Sequence, residues 1–156
     1  MTKSIVEIRG FRELQRKLKE LGDDKTKRRE VTKILGQVAN STVKVAKSLA
    51  PVSKKPHVQK RRNQVFGAVI SPGTGKRSIG KKTMRRSLNP MVIVSPRSTK
   101  KADGWYLRQF VIGGTKKIKS NPFMDRAYTQ TKGGVARESE QRLAKYIQKQ
   151  INKLSI

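Results

Sequence analysis

Residues 27–51, KRREVTKILGQVANSTVKVAKSLAP, hold the longest apolar periodicity in the chain. Val31, Ile34, Leu35, Val38, Thr42, Val45, Ala46 and Leu49 recur at the three- and four-residue steps that place side chains on one face of a helix. The run predicts one helix from about Lys27 to Leu49, supplying the main face of a core. Ala50-Pro51 ends it, because a residue before proline is pushed out of helical geometry.

On its N-terminal side, SIVEIRG alternates weakly and predicts a short strand closed by Gly10. FRELQRKLKELG follows, with Phe11, Leu14, Leu18 and Leu21 at helical spacing and Gly22 as a C-terminal cap. On the other side, residues 52–88 are basic and rich in Gly, Ser and Pro, and only Val65 to Ile70 reads as a strand. Such a stretch predicts a protruding basic arm or hairpin. Met91 to Pro96, MVIVSP, reads as a short buried strand, and WYLRQFVIGG as a strand or short helix before a turn at Gly113-Gly114. SNPFMDRAY opens a helix, with Asn121 as cap, Pro122 in the first position and Asp125 in the first turn. Gly133-Gly134 is expected to interrupt or kink it before Leu143, Ile147, Ile151 and Leu154 resume one face. The order argues for one α+β domain over 1–156, a small antiparallel sheet packed against the long helix and a C-terminal helix. In that domain Leu35, Val38 and Leu49 are expected to pack on the final helix through Leu143 and Ile147.

Charge dominates the composition. Thirty-eight Lys and Arg stand against ten Asp and Glu, a formal net of +28. Residues 31–102 contain 17 Lys and Arg and no carboxylate. A solvated face intersperses both signs, whereas a one-signed block points to a polyanion or an acidic protein surface. The candidate contacts are Lys60, Arg61, Arg62, Lys76, Arg77, Lys81, Lys82, Arg85 and Arg86.

Enzyme chemistry finds little support. Only Asp103 and Asp125 lie between Glu30 and Glu138, so paired-carboxylate or nuclease chemistry lacks partners. His57 near Ser53 has no third group in VSKKPHVQKRR to orient it, and reads as a loop histidine. The chain has no cysteine, and one histidine cannot build a metal cluster, so no metal or cofactor is expected. SPGTGKRSIGKK, Ser71 to Lys82, looks like a phosphate loop but has Ile70 where the first glycine belongs and Arg77 where Ser or Thr belongs. No run approaches the roughly 18 apolar residues of a membrane span, and MTKSIVEIRG is unlike a secretory signal. A reducing compartment without membrane contact is expected.

Five segments, in order, resemble the tailed-phage family of head–tail joining and tail-completion proteins, including its members like minor tail protein Z. They are VEIRGFRELQRKLKELG, AKSLAPVSKKPH, SPGTGKRSIGKK, NPMVIVSPRSTKKADGWYLRQFVIGGT and NPFMDRAY. Within the third, Gly73, Lys76, Arg77, Ser78 and Ile79 stand in matching places. Two departures stand out: Ile112-Gly113 replaces the family's Glu-Phe, and Asp125-Arg126-Ala127 lacks its proline. The resemblance implies a structural virion protein of the phage neck, without enzymatic activity, assembled in the host bacterial cytoplasm. It implies a homo-oligomeric ring, a hexamer favoured, between head-connector and tail-terminator or tube proteins, with packaged double-stranded DNA a further candidate partner. Trp105, Tyr106, Phe110 and Phe123 are the expected subunit-interface residues, and SPGTGKRSI becomes the turn and base of the arm. Tail terminator and head-side adaptor remain alternatives within the family. The rival outside it is a monomeric, sequence-independent nucleic-acid-binding protein.

Overall fold

The structure, a computed structural model, describes residues 25–59, 67–84, 89–99 and 102–154. The expected first strand and first helix, and Lys60, Arg61, Arg62, Arg85 and Arg86, lie outside them. Helix α1 runs Lys25–Leu49, β1 His57–Gln59, β2 Ala68–Ile70, α2 Thr74–Ser78, β3 Ile79–Thr83 and β4 Val92–Pro96. A π-helical turn, α3, follows at Leu107–Val111, and α4 spans Phe123–Leu154. The fold is α+β.

Two long helices make its frame. Along α1, Ile34, Val38, Thr42, Ala46 and then Ala50 form a row at four-residue steps, and none of the five is exposed. Along α4, Phe123, Ala127, Thr131, Val135, Ser139, Leu143 and Ile147 repeat the same step, again with none exposed. Rows of this kind are the ridges that interdigitate in the commonest helix packing. Ala46 and Ala127, both fully buried, let the backbones approach. The Thr42 and Thr131 hydroxyls share a hydrogen bond of 2.8 Å, and Arg142 Nη1 donates to Gln37 Oε1 at 3.1 Å. Contacts that climb one helix descend the other, so the pair is antiparallel. Leu49 therefore packs against the cluster around Phe123 and not near Leu143 and Ile147, which lie toward the other end.

The expected break at Gly133-Gly134 does not occur, and α4 continues through both glycines. Each faces open space, and the ridge on either side is held by α1, so packing outweighs the poor helical propensity of glycine.

Among the described residues, two separate two-stranded ribbons stand in place of the expected single sheet. In the first, β1 and β2 are antiparallel, with Val58 opposite Val69. In the second, β3 and β4 are antiparallel from Ile79–Pro96 to Thr83–Val92. The 52–88 stretch, expected as an arm or hairpin, carries one hairpin among its described residues. Residues 57–59 and 68–70 form a hairpin, while 74–83 return to the body and bury Ile79 at 1% exposure. The return depends on SPGTGKRSI. Gly73 adopts φ +79°, left-handed backbone that suits glycine, and its carbonyl accepts from Arg77 N–H at 2.9 Å to close the single turn of α2. Ile79 then joins Ala46, Ala50, Leu107, Val111, Phe123 and Ala127 in the main cluster.

Candidate functional site

The 98–112 segment fixes the aromatic residues. Asp103 Oδ1 accepts from Ser98 Oγ at 2.6 Å and from Trp105 N–H at 2.9 Å, so this carboxylate caps the following helical turn. Ile112 N–H donates to Leu107 O at 3.0 Å, the wide five-residue step of a π turn. That turn buries Leu107 and Val111 and brings three rings together. Trp105 meets Phe110 edge-on at 5.1 Å between centroids, and Tyr106 lies 5.4 Å from Phe110. His57 on β1 lies 5.9 Å from Tyr106, tying the first hairpin to the turn. Beside them opens a cleft of about 260 Å³, lined by Val52, His57, Ile70, Tyr106 and Leu107 among others.

Trp105, Tyr106 and Phe110, expected at a subunit interface, therefore cohere within the chain, and Tyr106 keeps 36% of its surface. Phe123 is a correction. It is fully buried at the start of α4, in one cluster with Ala46 and Ile79 of the chain's own core, so it offers nothing to a neighbour. Val58 and Val69 do offer surface: paired across the hairpin, they remain 69% and 71% exposed.

The basic candidates divide. Lys76, Arg77 and Lys82 are exposed; Arg77 Nη2 donates to Thr74 Oγ1 at 3.0 Å. Lys81 reaches across to α1, where its Nζ donates to Gly36 O at 2.5 Å and Asn40 Oδ1 at 2.8 Å. Its carbonyl in turn accepts from Arg97 Nη1 at 2.9 Å. The ammonium thus ties the second ribbon to α1, a role that a run of basic residues does not signal.

No family model, curated protein or solved structure matches the chain.

Among the described residues, no three His, Cys, Asp or Glu side chains gather as metal ligands would. No described helix is long and apolar enough to cross a membrane. Asp125 sits exposed in the first turn of α4, where a carboxylate complements the helix dipole. Two described surfaces stand out, a cationic one centred on α1 and β3 and an apolar one on the first hairpin.

Proposed function

We propose that the chain is a ring-forming structural protein of the tailed-phage neck, a tail-completion or head–tail joining subunit linking the tail tube to the head connector. The observation that carries the reading is the Val58–Val69 pair. A two-stranded ribbon has little stability of its own, and one with two adjacent exposed valines and, among the described residues, open edges is suited to a neighbouring chain. The order of the five family-like segments supports the same reading. In a ring each contact is heterologous and repeats around the axis, so modest interfaces sum to a stable assembly. Tail terminator and head-side adaptor are the neighbouring versions of this role.

A second reading, the monomeric nucleic-acid-binding protein, draws on the net charge of +28. Oligomeric state separates them. Nuclease-treated protein at moderate salt is expected to sediment as a closed oligomer, with six subunits favoured. Val69→Glu places a carboxylate on the exposed ribbon without touching the core and is expected to yield monomer. An unaltered chain that stays monomeric at every concentration removes the ring reading.

A further inference from the structure

We propose that the outer face of α1, completed by Lys81, is a binding surface for the phosphate backbone of duplex DNA. Positions 29, 33, 36, 40, 44 and 47 follow one another at steps of four, three, four, four and three, a single helical stripe. Four of them are Arg29, Lys33, Lys44 and Lys47, and the middle two are Gly36 and Asn40. Those two are the residues on which Lys81 places its ammonium. The gap in the helix's own row of cations is thus filled from β3. The result is five cations in a line of about 27 Å, at 1.5 Å rise per residue.

The row is turned outward. Arg29, Lys33, Lys44 and Lys81 are exposed and Lys47 is half-buried. Glu30 flanks it, 3.8 Å from Lys33, an exposed pair that holds little energy. After Glu30 no carboxylate occurs in the sequence before Asp103.

Charge complementarity requires an anionic partner, and the composition of the row selects its kind. Four of the five cations are lysines, flexible point charges suited to phosphates at variable register, whereas fixed carboxylates are better met by the arginine fork. No aromatic residue lies on the stripe to stack unpaired bases, which argues against single strands. A straight helix face with short-range cations matches duplex DNA, read without regard to sequence. This inference stands apart from the ring reading, since a monomer can satisfy it and a ring can fail it.

The test compares two triple variants of the full chain that remove equal charge. One carries Lys33→Gln, Lys44→Gln and Lys47→Gln; the other carries Lys116→Gln, Lys117→Gln and Lys119→Gln, in the exposed loop before α4. Binding of a mixed-sequence DNA duplex is measured by fluorescence anisotropy across a salt series. The stripe variant is expected to lose about 0.9 of log–log salt slope per lost contact, equally for unrelated duplex sequences, while the loop variant keeps its slope. Equal losses in both variants overturn the surface, because net charge alone would then set the binding. Unchanged duplex binding with weakened binding to polyglutamate overturns it in favour of an acidic protein. A duplex RNA whose slope falls as much as that of DNA overturns the choice of DNA. Far-UV circular dichroism checks the fold of each variant, and Lys44→Gln against Lys117→Gln, both at exposed positions, gives the same comparison should the triple variant unfold.

Discussion

Phe123→Ala is expected to cost about 3–5 kcal/mol, the range for emptying a fully buried aromatic site. Phe123 has no exposed surface and shares its cluster with both layers of the fold, Ala46 from α1, Ala50 just past its end and Ile79 from β3. Its neighbours cannot close the space readily. Ala46, Ala50 and Ala127 have no side-chain reach, and Ile79 is held in register opposite Pro96. A domain of this size has total stability of about 5–15 kcal/mol, so the loss consumes a large share of it. Urea denaturation followed by circular dichroism should show the midpoint collapse. Tyr128→Ala, on the same helix but 63% exposed, serves as the comparison and should leave the midpoint nearly in place. A Phe123→Ala chain as stable as the original would mean that the two helices and the second ribbon do not share one core.

The second large effect is expected at Gly104. A Cβ there would lie 2.5 Å from Ser78 Oγ, 2.7 Å from Arg97 N and 2.8 Å from the Pro96 carbonyl carbon. Two of those atoms are backbone and cannot rotate aside. Gly104 N–H also donates to Arg97 O at 2.9 Å, and its carbonyl accepts from Arg108 N–H at 3.1 Å. Gly104→Ala must separate the end of β4 from the aromatic turn and should cost about 1–3 kcal/mol, as overpacking does. Gly133→Ala is the opposite case. Nothing lies within 4 Å of the added methyl, and the helix gains about 0.8–1 kcal/mol of propensity. Thermal melting of the two variants should move in opposite directions; a shared direction would contradict the packing at one of the sites.

The long elements were legible because their signals are local and redundant. Eight apolar positions and the Ala50-Pro51 stop mark α1, and Asn121-Pro122 with Asp125 marks the start of α4. MVIVSP was legible as a strand, since β-branched residues dominate it. Its partner was not, because β3 reads Ile-Gly-Lys-Lys-Thr and only Ile79 announces a core position. The glycine pair misled for the converse reason: propensity is a property of the residue alone, whereas the ridge from Phe123 to Ile147 is held by a helix nearly a hundred residues earlier. The same ridge conceals its burial from a seven-residue template, since a strict four-residue step drifts around the helix.

At the candidate surfaces, the excess of cations was plain and their placement was not. Lys81 and Asn40 are forty-one positions apart, and no local pattern foretells that one ammonium lies on the other's carboxamide. The stripe at 29, 33, 44 and 47 lies in the helical periodicity, but the cation that fills its middle comes from β3 and no local pattern supplies it. Phe123 shows the limit of composition: an aromatic in a motif serves equally as an anchor for a partner or as the centre of its own core.

The open-edged first hairpin also bears on how copies behave before they meet a partner. Among the described residues, each strand of this ribbon has one side without a strand beside it, a template on which like chains pair indiscriminately. Here the net charge of +28 acts as a colloidal guard, holding copies apart over roughly 10 Å in 0.1 M salt and only about 3 Å in 1 M salt. The same valines that can serve ordered assembly would then nucleate disordered clumping wherever ions screen the guard before a partner arrives. Dispersal and cohesion in this chain are one balance, tipped by the ionic medium around it.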